Sequence, residues 1–263
     1  MKKSKKLMGL LAAVTLLSCG CSFNANFSKN SNNNVKSEQV SNTKFGGLSQ
    51  KEYTKLANME YKSGESAVVF VNNNNSTLNK KWKENRIYYQ NLDSLNRTSK
   101  PVTAFLDQNN IVKHSNRTRQ IWRPTGWHGN RPGAEIYNRG HLIAYSLSGG
   151  INKFGIYTGR NNGDLNNPKN LFTQTAFANQ RVQTYYESQV REALMSGQKV
   201  IYQATPIFRE NEKMARGVNL QATSIDGMLN YNVYIYNVQP GYKFDYRTGR
   251  AIRDESMKVS FNQ

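Results

Sequence analysis

Tyr137-Asn138-Arg139-Gly140-His141 sets a guanidinium two residues from an imidazole, and 38 positions after that histidine Asn179 opens an eight-residue interval that ends on Glu187. Breaking a phosphodiester needs a base for water, cations to offset the charge gathering on the phosphoryl oxygens, and help for the departing alkoxide. His141 suits the base, because an unperturbed imidazole with a pKa of ~6.5 is largely neutral at pH 7. Arg139 suits a phosphate contact. The amide oxygen of Asn179 is a hard, neutral donor that leaves most coordination positions to water and phosphate oxygens, which fits Mg²⁺. Zinc has no support, since no Cys/His cluster with ligand spacing exists. His114 and His128, outside the run, read as ordinary core or surface residues.

The elements that must hold these groups follow from periodicity. Thr175 to Ser196 contains no Gly or Pro and is followed by Gly197, so one long helix is expected there. Val182, Tyr186, Val190 and Ala193 form its apolar stripe. At about 100° per residue, Asn179, Gln183 and Glu187 step round by about 40° each and border that stripe. Gln183 reads as polar lining of the site. Ala67–Val71 and Pro101–Leu106 read as strands, Asn72–Ser76 as a turn and Thr77–Lys83 as helix-like. Lys199–Phe208, Gly217–Ile225 and Leu229–Gln239 alternate between Gly/Asn turns, as antiparallel strands do. The expected class is α+β, with a central antiparallel sheet.

Composition sets where such a site would work. The chain of 263 residues has room for one sizeable domain. Lys2, Lys3, Lys5 and Lys6 precede an apolar run, Leu7 to Leu17, that is too short to span a bilayer, so 1–21 reads as an export signal. Leu16-Leu17-Ser18-Cys19 also fits a bacterial lipoprotein signal. Two outcomes stay open: a lipid anchor at Cys19 or Cys21 on the outer face of the membrane, or cleavage near Ala25 and free secretion. Residues 22–52, rich in Asn, Ser and Lys, read as a flexible tether, and 53–263 as the catalytic domain. Formal charge is +19, and +15 remains once the first 18 residues, with four Lys and no acid, are set aside. Such an excess implies a polyanionic partner. Lys113, Arg117, Arg119, Arg123, Arg131 and Arg139 interleave with Trp122 and Trp127, which favours nucleic acid over cell-wall polymer. No protein partner is evident.

Five segments in order carry a family resemblance: Leu92-Asp93-Ser94-Leu95-Asn96-Arg97, Arg123-Pro124-Thr125-Gly126-Trp127-His128, Tyr137-Asn138-Arg139-Gly140-His141-Leu142-Ile143, Asn170-Leu171-Phe172-Thr173-Gln174-Thr175, and Tyr236-Asn237-Val238-Gln239-Pro240-Gly241 with Asp245-Tyr246. Together they resemble the DNA/RNA non-specific endonucleases, the ββα-metal or His-Me finger nucleases, in their exported bacterial streptodornase and DNA-entry branch. The resemblance implies a hairpin presenting His141 as general base and a helix presenting Asn179 to the metal. It implies Glu187 as a carboxylate acting from behind the ligands, and a further arginine clamping the transition state before the motif, with Arg117 and Arg119 both candidates. Where the broader family's motif opens with Asp this chain has Asn138, a site-lining residue with one charge fewer, which widens the cofactor expectation from Mg²⁺ to Mn²⁺ as a substitute. Two other classes compete: a non-catalytic surface receptor that only holds DNA, which has no need of His141, Asn179 and Glu187 together, and a host-directed toxin or mitogen, to which no residue points.

Overall fold

The computed structural model describes residues 44–113, 117–160 and 163–262. The expected signal 1–21 with Cys19 and Cys21, the expected tether as far as residue 43, and His114 lie outside the described residues. In chain order the elements are helix α1 (Gln50–Asn58), strands β1 (Val68–Phe70), β2 (Arg86–Tyr88), β3 (Val102–Leu106), β4 (Tyr137–His141), β5 (Gly150–Ile151), β6 (Tyr157–Arg160) and β7 (Leu171–Thr175), helix α2 (Thr184–Met195), and strands β8 (Val200–Ile207), β9 (Gly217–Ser224), β10 (Asn230–Tyr236), β11 (Tyr242–Asp245) and β12 (Arg250–Arg253).

Six strands form the expected antiparallel sheet, in the order β1-β10-β9-β8-β3-β2, so the class is α+β. Period-2 alternation sends Val200, Tyr202, Ala204, Val218, Leu220, Ala222, Val233 and Ile235 to one face, where they bury against Val182, Tyr186, Val190 and Leu194 of the long helix. The opposite face is largely polar yet also buried, with Gln203, Thr205, Asn219 and Gln221 almost inaccessible beside Ile207 and Tyr234, which cluster with Leu48 and Leu56. Buried amides need partners, and they find them in the chain before α1 and in the loop after β1. Gly47 N–H donates to Gln203 Oε1 at 2.7 Å, and Thr77 N–H to Gln221 Oε1 at 2.9 Å.

That polar face corrects two expectations. The folded domain reaches back to residue 44, ahead of the expected start at 53: Leu48 is buried, Ser49 and Glu52 form a capping box, and a Cβ on Gly46 would fall 2.1 Å from Gln203 Oε1. Low hydrophobicity hid a segment that is held by side-chain amides. Thr77–Lys83 is irregular, not helical, because the Thr77 amide and hydroxyl are tied to Gln221 and Gly47.

The long helix also departs from the expected Thr175–Ser196. Thr175 ends β7, its hydroxyl capping the next turn by accepting from Ala178 N–H at 3.1 Å. Phe177–Gln183 then winds as a π turn before α2 runs regularly to Met195. Gly197, at φ +81°, closes it with Gln198 N–H reaching back to Ala193 O. β4 and β7 make a separate antiparallel pair, joined through residues 142–170 and not by a tight turn.

Candidate active site

In the β4–β7 pair Asn138 lies opposite Gln174 and His141 opposite Leu171. Strand alternation points Arg139 and His141 one way and Asn138 and Gly140 the other, so the five-residue run serves two sets of contacts.

On the first side, His141 Nε2 lies 3.1 Å from the Leu165 carbonyl. A carbonyl only accepts, so Nε2 holds the proton and Nδ1 keeps its lone pair. The Leu165 carbonyl is itself fixed: Gln120 Nε2 donates to it at 3.3 Å, and neighbouring Asp164 donates its N–H to Ser148 Oγ at 2.9 Å while its carboxylate accepts from Asn167 Nδ2 at 3.0 Å. Burial pushes the His141 pKa down to about 4, and the nearby Arg117 guanidinium pushes the same way against the opposing pull of the Leu165 carbonyl.

Behind the histidine, Gln183 is 1% exposed and far more than lining. Its Nε2 donates to the His141 carbonyl at 2.7 Å and to Glu187 Oε1 at 2.8 Å, and its Oε1 accepts from Gln174 Nε2 at 2.9 Å. Glu187 is 7% exposed, and burial raises its pKa to about 7 against the lowering effects of Gln183, Arg191 and Arg117. Arg191, one helical turn on, donates to Ser146 Oγ at 2.8 Å.

On the other side of β4, Asn138 meets the π turn. With its oxygen toward the helix, its amide accepts from Asn179 Nδ2 at 3.3 Å and from Gln180 Nε2 at 2.8 Å. The Asn179 carbonyl is saturated by the Thr184 N–H and hydroxyl, the bonds that define the wide turn. Its side-chain Oδ1 accepts no hydrogen bond among the described residues, and it is a hard oxygen donor left free to ligate a cation. Among the described residues no three His, Cys, Asp or Glu side chains come together, so a closed all-protein metal cage is not present there.

The arginines separate cleanly. Arg117 stacks over the Tyr145 ring at 4.6 Å and bears electrostatically on both His141 and Glu187. Arg119 and Arg123 instead crowd Arg139, whose guanidinium stacks over Trp127 at 4.4 Å and donates to the Trp122 carbonyl; burial and those two neighbours weaken its hold on its proton. None of the seven ion pairs among the described residues uses a basic residue between Lys113 and Arg139. The unpaired charge expected around the motif is therefore present. His128 is exposed and hydrogen-bonds the Thr248 carbonyl at 2.9 Å, apart from His141.

Sequence reasoning missed several supports. Asn170 and Gln174 stand in a quoted segment but received no role; Asn170 brackets Ile143, accepting from its N–H at 2.9 Å and donating to its carbonyl at 3.0 Å. Glu135, which accepts from Gln180 Nε2 at 3.1 Å, carried no signal beyond its place three residues before Asn138.

The two shifted groups make opposite demands on pH. Between its folded pKa of about 4 and its ordinary 6.5, His141 is neutral in the fold and protonated when unfolded, so stability rises with pH. Between its ordinary 4.5 and its folded value of about 7, Glu187 is protonated in the fold and ionised when unfolded, so stability falls with pH. In chelator, the stability difference between the wild-type protein and Glu187→Gln should decline by ~1.4 kcal/mol per pH unit through that second window. Urea unfolding across the window measures it; a constant difference contradicts a buried, neutral Glu187.

The family model of the DNA/RNA non-specific endonucleases matches residues 74–226, which include Arg117, Asn138, His141, Asn179, Gln183 and Glu187. NucA from Streptococcus agalactiae with a magnesium ion bound is similar with a TM-score of 0.63 and 30% identity, covering 79% of this chain and 99% of that one. NucA with no metal bound gives 0.61 and 30%, over 78% and 97%. The Sda1 nuclease with a bound zinc ion shares the fold, with a TM-score of 0.50 and 21% identity over 64% and 81%. The matched stretch exceeds half of the sequence and includes His141 and Asn179: the chain belongs to the DNA/RNA non-specific endonuclease family.

Proposed function

We propose that the chain is an exported endonuclease that hydrolyses phosphodiester bonds of DNA, with RNA an open second substrate, using His141 as general base and Mg²⁺ as cofactor, Mn²⁺ serving in its place. The observation that carries this reading is the fixed His141 tautomer. With Nε2–H committed to the Leu165 carbonyl, Nδ1 is the one ring atom able to take a proton from water. A pKa of about 4 keeps the ring neutral in the resting protein, and the negative charge of a bound phosphodiester raises it toward the working range.

Arg117 is the cation whose charge is felt at that base and takes the clamping role, while Arg119 and Arg139 position phosphate. Asn179 Oδ1 would hold the divalent ion, which when bound supplies charge stabilisation at the scissile phosphate and the leaving oxygen. Glu187, behind Gln183, is neutral without the ion and offsets that charge from within once a bound cation draws off its proton. NucA was solved with magnesium bound and shares 30% identity with this chain, which supports Mg²⁺ here. All these groups address phosphate, and phosphate contacts carry no sequence information, so cleavage is base-independent. A surface receptor that merely holds DNA leaves the buried Glu187 and the fixed tautomer without purpose. Export rests on the basic and apolar leader; the N-terminus of the protein recovered from culture distinguishes lipidated Cys19 from cleavage near Ala25, and an intact Met1 would contradict export.

Purified protein with Mg²⁺ should convert supercoiled plasmid to relaxed circles and then to short fragments, and excess chelator should stop it. Binding should weaken with salt at a slope of about −0.9 per phosphate contact on duplex DNA. Plasmid left intact with both Mg²⁺ and Mn²⁺ over a broad pH range sinks the proposal.

A further inference from the structure

We propose that Glu135 is a positioning residue for the cation: its carboxylate, acting through the Asn138 amide, aims and polarises Asn179 Oδ1. This rests on the reading of Asn179 as the ligand.

The amides of Asn138 and Asn179 could each present either an oxygen or an NH₂, and only an oxygen ligates a cation. What decides their orientation is therefore part of the site. A carboxylate is acceptor-only. The Asn138 amide is assigned by its neighbours: with Nδ2 on the acceptor side it donates to Glu135 Oε1 at 3.0 Å and to the Tyr137 carbonyl at 2.9 Å, and Oδ1 then faces the helix, where it accepts from Asn179 Nδ2 at 3.3 Å and Gln180 Nε2 at 2.8 Å. Gln180 Nε2 also donates to Glu135 Oε1 at 3.1 Å, closing the cluster. With its NH₂ held inward, Asn179 must turn its oxygen outward.

The same relay works electronically. Carboxylate, amide and amide stand head to tail, and hydrogen bonds in a chain polarise one another, so negative charge on Glu135 increases the electron density on Asn179 Oδ1. A carboxylate behind a metal-binding imidazole acts by this logic. Glu135 forms no ion pair among the described residues, so its charge is not spent on a cation of the protein. Its backbone is held in place: Asn130 Oδ1 accepts from the N–H groups of Ile136 at 3.0 Å and Tyr137 at 2.8 Å, and the Ile136 carbonyl accepts from Ala176 N–H at 3.1 Å. The side chain itself is exposed, so replacing it leaves the core alone.

The test measures Mn²⁺ binding directly, by electron paramagnetic resonance of the free ion, on the wild-type protein, Glu135→Gln, Glu135→Gln with Asn138→Asp, and Asn179→Ala. Glu135→Gln should weaken Mn²⁺ binding about tenfold or more with an unchanged melting temperature, the usual scale for a residue behind a ligand. Adding Asn138→Asp, which sets a carboxylate directly on Asn179 Nδ2, should bring the affinity back to within about threefold of wild type. Wild-type affinity in Glu135→Gln, together with loss in Asn179→Ala, overturns the role of Glu135 and leaves Asn179 as the ligand. Failure of Asn138→Asp to restore affinity overturns the charge relay. Wild-type affinity in Asn179→Ala overturns the ligand reading beneath both.

Discussion

His141→Ala should lower kcat by roughly 10²–10⁴-fold, the usual contribution of a positioned general base, while DNA affinity and melting temperature stay near wild type. The side chain is half-buried and makes one side-chain hydrogen bond, to a carbonyl that Gln120 also reaches. Its removal therefore strands no buried polar group without a partner. Plasmid nicking rates and fluorescence anisotropy on labelled duplex separate the two effects. A variant keeping more than about a tenth of wild-type kcat would mean that another group takes the proton. Arg117→Ala and Arg119→Ala sharpen the assignment: the first should lower kcat at saturating DNA and the second should raise KM alone.

Gly140→Ala should be nearly as damaging, by a different route. The new Cβ would lie 2.1 Å from Gln174 Oε1 and 2.8 Å from Gln174 Cβ, so the Gln174 amide must leave and the β4 and β7 backbones must part. Forced overpacking of this kind costs about 1–3 kcal/mol, and for a domain of this size each kcal/mol lowers Tm by roughly 2–4 °C. Leaving means abandoning Gln183, to which Gln174 Nε2 donates at 2.9 Å, and Gln183 is what ties the His141 carbonyl to Glu187. Activity should thus fall beyond what the lost stability explains. Thermal melts of Gly140→Ala, Gln174→Ala and the pair provide the check, since removing the clashing side chain should recover part of the loss. A Gly140→Ala protein that melts within about a degree of wild type contradicts the clash.

What was legible in the sequence was whatever repeats or matches a short motif. Alternation located β8, β9 and β10 because one face is apolar, and the absence of Gly and Pro before Gly197 located the helix. His141, Asn179 and Glu187 stood out by residue type and spacing. The missing parts are non-local and polar. Nothing periodic announces that Gly46 and Gly47 press against Gln203, over 150 positions away, so the chain before α1 passed for tether. The tautomer of His141 depends on the main-chain carbonyl of Leu165, a group every residue has. Arg117 and Arg119 are equivalent on spacing; the fold separates them, setting Arg117 on Tyr145 with its charge felt at His141 and Glu187, and Arg119 beside Arg139. Glu135 looked like any loop acid because its partners are neutral amides.

The π turn separates two jobs that a regular helix would lock together. At about 100° per residue, an unbroken α-helix whose stripe is fitted to the sheet leaves no freedom in where the preceding turn points. The extra residue in Phe177–Gln183 acts as a shim: Val190 and Leu194 hold the body of the helix in the core, while Asn179 takes its direction from the wide turn. Chain length thus sets where the Asn179 backbone faces, and the Glu135–Asn138 relay sets which atom of its amide is turned outward. Deleting one residue between Gln180 and Val182 would return the segment to α register, keep the apolar seam against the sheet, and swing Asn179 round by about 100° away from Asn138. In a lineage or a designed library, a single-codon deletion at this turn is thus a route from a nuclease to a stably folded protein that binds polyanions and cuts nothing.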